Sequence, residues 1–398
     1  MLPVKLLLLL CFSTCSYAAR ILAVVFIPSL SHNLVFRPIY RELSLRGHQV
    51  VAVAPNPLND SSLTNLTEID VSYVYERNKN IQSTLNFDSY TDFWDNTFQW
   101  MMLSAEDILK DSRVQQLCEG GDKFDLVLLE ALLPVFYAFG TKCDAPTVGM
   151  ISMDGMLSTH TVQGNPIHPI LFGDMLLSYH KPLSLMEKTW YVYYFIWYKW
   201  YYNYRVVPQC DSMVRKYLGQ QLPPLEEIEA NSSMAFINTN VVMNSIRPMS
   251  PTVVPMGFVQ IRPPNPLSQD LQSVLDDAKQ GAVYFSFGSN TQSSHCRLFI
   301  IVLRYHDRVC ELKSIVEDQP MTGLERAVWW SEYVIRHRGA RHLRSAVADV
   351  SLAEYLLLDV LAAALSVLLI AGIVSYKLAR LVGKLTFCGC RRNKQKES

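Results

Sequence analysis

The sequence predicts an α/β protein of two Rossmann-like lobes, the second truncated, followed by one C-terminal transmembrane helix. Three observations predict it. Ile21 to Ile27 (ILAVVFI) is an unbroken apolar run opening a strand-helix-strand unit. A second such run, Ala282 to Phe287, ends at Gly288-Ser289. Tyr355 to Tyr376 holds a single charge, Asp359, and its length suits one membrane crossing. With 398 residues, 49% of them hydrophobic, the chain can bury a full core. Its 36 basic and 36 acidic residues give no basic excess that would point to nucleic acid.

Residues 1–19 read as a cleavable signal peptide, with Lys5 before the apolar run Leu6 to Phe12 and Ser16-Tyr17-Ala18 before Arg20. Residues 20–247 form the first lobe. There the strand Ile21 to Ile27 is followed by a turn from Pro28 to His32, a helix from Val35 to Leu45, a stop at Gly47 and a strand from Gln49 to Ala54. Phe124 to Leu129 and Thr147 to Ile151 supply further strands. Trp190 to Tyr204 (WYVYYFIWYKWYYNY) reads as a helix packed on the sheet, as the wall of a pocket for flat apolar molecules, or as a segment resting at the lipid headgroup level. Residues 248–266, with six prolines, read as a connector. Residues 267–354 are the truncated second lobe, shorter than an ordinary domain of roughly 100 residues or more.

Residues 355–376 are the spanning helix and 377–398 a basic cytoplasmic tail, which leaves the body in the lumen. Lys396 and Lys394 stand third and fifth from the C-terminal end, as in a dilysine signal for retrieval to the endoplasmic reticulum. Sequons at Asn59, Asn65 and Asn231 agree with a lumenal body. Of nine cysteines, Cys11 and Cys15 leave with the signal peptide, and Cys388 and Cys390 lie in the tail. The remaining Cys118, Cys143, Cys210, Cys296 and Cys310 are too scattered for a metal site and allow at most two bridges.

Active groups in doubly wound sheets gather at the carboxyl ends of strands. His32 in the loop after the first strand and Glu130 directly after FDLVLL are the candidates there. An imidazole can take a proton from a hydroxyl, and a carboxylate on its other nitrogen would orient it and stabilise the imidazolium. A loop histidine is also commonly a solvated or capping residue, and a carboxylate after a strand a helix cap. The turn at Gly288 and Ser289 offers backbone N–H groups and a hydroxyl to a phosphate, although FxxGS also occurs as an ordinary strand-to-loop turn.

SHNLVFRPIYRELSLRGHQVV (Ser31 to Val51), KFDLVLLEA (Lys123 to Ala131), VYFSFGSN (Val283 to Asn290) and LERAVWWSEYVIRHRGARHLRS (Leu324 to Ser345) precede a membrane helix. In this combination the chain resembles the animal, insect-type membrane-bound UDP-glycosyltransferases and UDP-glucuronosyltransferases. The resemblance implies a glycosyltransferase B fold, with a small lipophilic acceptor on the first lobe and a UDP-sugar co-substrate on the second. It implies inverting transfer with His32 as base, Glu130 in a position usually held by Asp, Gly288 and Ser289 near the donor pyrophosphate, and neither metal nor cofactor. The family's Trp-x-Pro-Gln stretch, Thr-His-Gly-Gly helix start and Asp-Gln pair are missing from the sequence. Family-like residues stop near Ser294 and resume near Tyr305, and Asp318-Gln319 belongs to a pre-helical stretch instead. Without those phosphate donors the UDP leaving group loses charge stabilisation commonly worth several kcal/mol, so low or absent activity is expected. Three readings follow. They are a UDP-glycosyltransferase at the endoplasmic reticulum membrane, a non-catalytic anchored isoform associating as a homo- or hetero-oligomer with family members, and a sequence lacking an internal segment.

Overall fold

The computed structural model describes residues 18–76, 89–119, 123–177, 182–240, 242, 244, 246–262, 265–278 and 306–394. Almost all of the signal peptide, the strand at 282–287, Gly288, Ser289 and Lys396 lie outside the described residues. The chain divides into two units, Met1–Ala348 and Asp349–Ser398.

In the first unit, β1 (Arg20–Val24), β2 (Gln49–Ala54), β3 (Leu66–Asp70), β4 (Leu126–Glu130), β5 (Thr147–Ile151), β6 (Met234–Ile237) and β7 (Val253–Pro255) form one seven-stranded sheet. Its order is β3-β2-β1-β4-β5-β6-β7 and every pairing is parallel. The order reverses beside β1, so β1 and β4 flank the crevice where such sheets place their ligands. Successive residues of a strand point to opposite faces. Leu22, Val24, Val127 and Leu129 therefore join one apolar cluster, while Ile21, Ala23, Leu126 and Leu128 join the other. Burial on both faces is why these strands read as continuous apolar runs.

On one face lie α1 (Leu30–Leu45) and, from far along the chain, α7 (Gly323–His337). The other face carries α2 (Tyr90–Lys110), α3 (Leu157–Val162), α4 (Leu185–Tyr201), α5 (Val207–Tyr217) and α6 (Leu225–Ala230). α7 starts in a capping box, with Thr322 Oγ1 accepting from the Glu325 amide and Glu325 accepting from the Thr322 amide. It buries Ala327, Val328, Ser331 and Val334. Residues 323–348, read from the sequence as part of the second lobe, thus pack against the sheet of the first. The proline-rich stretch 248–266 contributes β7. Among the described residues that strand pairs with β6 alone, and at a sheet edge a proline such as Pro255 removes no needed ladder bond.

In the second unit, α8 (Leu358–Lys394) follows Leu357, whose φ is +51°. Its segment Leu358–Gly383 spans 26 residues, with a mean hydropathy of 2.3 over an 18-residue stretch, long and apolar enough to cross a membrane.

Candidate functional site

β1 does not run on to Ile27. The Val25 amide still bonds Val53 O, but the Phe26 and Ile27 amides turn onto Glu130 Oε2, at 3.1 and 2.9 Å. Ser29 then stands in extended geometry as the N-cap, and α1 begins at Leu30. His32 therefore lies in the first turn of a helix, where sequence reading placed a loop. A side-chain carboxylate takes over the strand's last donors and lets the helix start early. Glu130 ends β4 and is fully buried, with its other oxygen 2.6 Å from His32 Nδ1. Sequence reasoning thus named two residues, 98 positions apart, that the sheet brings into hydrogen-bond contact. A carboxylate only accepts, so Nδ1 carries the proton and Nε2 keeps its lone pair. The His32 side chain retains 15% exposure, enough for a small molecule to reach it.

Two further residues close the arrangement. Ser152 Oγ lies 3.1 Å from the same Nδ1. Its carbonyl accepts from Asn238 Nδ2 at 2.9 Å, while Asn238 Oδ1 accepts from the Phe258 amide at 3.0 Å. The Asn238 amide bonds both Ile151 O and Met153 O. Neither residue emerged from the sequence, although each directly follows a strand, β5 for Ser152 and β6 for Asn238. The strand-end rule that selected Glu130 would have selected both.

Beyond this crevice the interior is aromatic. α4 buries Tyr191, Tyr194, Tyr198 and Tyr201, and Trp94 Nε1 donates to Tyr194 Oη at 2.6 Å. Its opposite side leaves Trp190, Tyr193, Ile196 and Trp200 exposed. A π-helical turn over Tyr202–Val206 continues it, and Tyr202 Oη donates to the buried Glu229 at 2.7 Å. Burial raises the Glu229 pKa to about 7, against the opposing pull of the Tyr202 hydrogen bond. His160, 1% exposed, is driven down to about 3, first by burial and then by the nearby Arg247. Burial also raises Asp154 above the usual carboxylate range.

Among the described residues no three His, Cys, Asp or Glu side chains gather as a metal site. Cys118 and Cys143 form a disulfide, and Cys210 is buried. Asn59, Asn65 and Asn231 are all exposed. A cavity of about 1590 Å³ opens at the amino ends of β4 and β5, lined by residues such as His48, Lys123 and Thr147. It contains neither His32 nor Glu130, and the geometry of the hydrogen bonds outweighs cavity size in locating the chemistry.

A sequence model of the family described as "UDP-glucoronosyl and UDP-glucosyl transferase" matches residues 21–300 and 297–392. The chain is 23% identical to UDP-glucosyltransferase 2 of Dactylopius coccus over 493 aligned positions, covering 90% of this chain and 92% of that one. Ecdysteroid UDP-glucosyltransferase of Spodoptera littoralis nuclear polyhedrosis virus is 26% identical over 70% of this chain and 58% of its own length. UDP-glucuronosyltransferase 2B14 of Oryctolagus cuniculus is 54% identical over a short segment, 14% of this chain and 11% of its own. Among solved structures, spinosyn forosaminyltransferase SpnP covers 82% of this chain and 96% of its own at 12% identity, with a TM-score of 0.38. The 493 aligned positions exceed the chain's 398 residues by 95, so at least that many face gaps in this chain. The two family matches meet at residues 297–300.

Proposed function

Because the chain belongs to the family of UDP-glucoronosyl and UDP-glucosyl transferases, we propose that it carries the acceptor-activating half of a sugar transfer from a UDP-sugar to a small lipophilic hydroxyl compound. The observation that carries this is the 2.6 Å contact of His32 Nδ1 with the buried Glu130 carboxylate. With Nδ1 so occupied, Nε2 accepts the acceptor's proton as its oxygen bonds to the anomeric carbon. The bond from that carbon to the UDP oxygen breaks with inversion, and UDP keeps the electron pair. Glu130 stabilises the imidazolium that forms. No covalent sugar intermediate enters this scheme.

Donor capture falls to the second lobe. Gly288 and Ser289 are its proposed phosphate contacts, and they lie outside the described residues. The meeting of the two family matches at 297–300 supports a shortened donor side, and with it low turnover. The same observation favours a second reading, a non-catalytic anchored form that keeps the acceptor lobe and associates with other family members.

We place the body in the lumen of the endoplasmic reticulum, held by α8, with a cytoplasmic tail carrying Lys394 and Lys396. Support comes from the Cys118–Cys143 disulfide, which needs an oxidising compartment, and from three exposed sequon asparagines. The exposed Trp190, Tyr193 and Trp200 suit contact with lipid headgroups. Calorimetry of UDP-sugar binding to the detergent-solubilised full chain tests the function, with turnover compared in His32→Ala. Saturable binding with turnover lost in the variant upholds transfer. A folded sample that binds no UDP-sugar leaves the anchored, non-catalytic reading.

A further inference from the structure

We propose that Ser152 is a positioning residue for His32, acting through Nδ1 to fix the plane of the imidazole ring. The inference rests on the reading of His32 as the base. Glu130 is immobile, since it is buried and its Oε2 is held by the Phe26 and Ile27 amides. One hydrogen bond to it still leaves the imidazole free to swing about the Nδ1···Oε1 line. A second acceptor on the same N–H removes that freedom, and Ser152 Oγ stands 3.1 Å from Nδ1. Because Glu130 only accepts, Nδ1 bears the hydrogen, and Ser152 Oγ receives a share of it.

Ser152 is itself fixed from behind. Asn238 Nδ2 donates to its carbonyl, and the Asn238 amide ties the residues on either side, Ile151 and Met153. Asn238 in turn is held by the Phe258 amide. The ends of β4, β5 and β6 thereby converge on one nitrogen, and Nε2 is presented in a single orientation with its lone pair free.

The test needs no donor site. Histidine-selective ¹⁵N labelling of the full chain in detergent reads the tautomer of His32 directly, and the rate of carbethoxylation by diethyl pyrocarbonate, followed by mass spectrometry, reads access to Nε2. In Ser152→Ala the ratio of Nδ1–H to Nε2–H forms should fall about five-fold, the worth of one ordinary hydrogen bond. The carbethoxylation rate should change with it. Ser152→Thr, which keeps the hydroxyl, should restore both. His160 serves as the internal reference, and its signals should stay put, separating loss of positioning from loss of fold. A His32 tautomer ratio and modification rate unchanged in Ser152→Ala, with His160 also unchanged, overturn the proposal. Failure of UDP-sugar binding leaves this result standing, because neither readout involves the sugar donor.

Discussion

His32 and His160 sit on helices packed against opposite faces of one sheet and have opposite chemistry. His32 pairs with a carboxylate and is 15% exposed, so its proton sits on Nδ1 and its Nε2 is available. His160 is 1% exposed and faces the Asn165 amide at 2.7 Å. Asn165 Oδ1 is engaged by the Ser250 amide, so its Nδ2 must be the donor to His160 Nδ1. The proton of His160 therefore sits on Nε2, the reverse of His32. Burial first, and then the adjacent Arg247, hold His160 neutral, while the carboxylate partner of His32 fixes its tautomer. The partner's charge and the access of the ring, not proximity to the crevice, separate the proposed base from a structural histidine.

The largest expected effect breaks this contrast at the buried end. His160→Ala should cost about 3 kcal/mol, since it opens a cavity and strands the Asn165 amide. Chemical denaturation of the solubilised chain reads this directly, and a loss as small as that of a surface substitution would remove the structural role. His160 also gives a pH signature. Its folded pKa of about 3 lies below the ordinary 6.5, so the unfolded chain binds the proton more readily. Its contribution is present above pH 6.5 and is lost as pH falls toward 3, and the slope should flatten in His160→Ala.

Glu229 sharpens the comparison from the other direction. Its pKa is raised from 4.5 to about 7, so its contribution is full below pH 4.5 and is lost as pH rises through 7. Glu229→Gln should remove that slope, on the order of 1.4 kcal/mol per pH unit inside the window, and leave the variant the more stable at pH 8. Stability curves of the two proteins that run parallel from pH 4.5 to 8 would contradict the assignment. The smallest stability effect belongs to His32→Ala, about 1 kcal/mol, because the Glu130 carboxylate it uncovers keeps the Phe26 and Ile27 amides. A greater loss there would make His32 a fold residue.

Much of the fold was legible in the sequence because parallel strands buried on both faces leave unbroken apolar runs. The reading of Gln49 to Ala54 and Thr147 to Ile151 coincides with β2 and β5. The start of α1 was not legible, since it depends on Glu130, a residue 100 positions distant, drawing the Phe26 and Ile27 amides out of the ladder. β7 was hidden by Pro255, which an edge position tolerates. His32 and Glu130 stood out because each is a titratable group at a strand end. Ser152 and Asn238 did not, since a serine and an asparagine after a strand look like turn formers.

The chain leaves the sheet after β7 and returns at α7 within touching distance of where it left. A Cβ on Gly323 would come within 2.2 Å of Met256 O, and Arg326 Nη1 donates to Pro255 O at 2.7 Å. Topologically, everything between these contacts is an insertion into a domain that closes on itself. Such a loop can be shortened or lengthened by dozens of residues at small entropic cost, because its end points are already adjacent. Trimming it would leave the crevice around His32 and Glu130 folded, since both residues lie outside it.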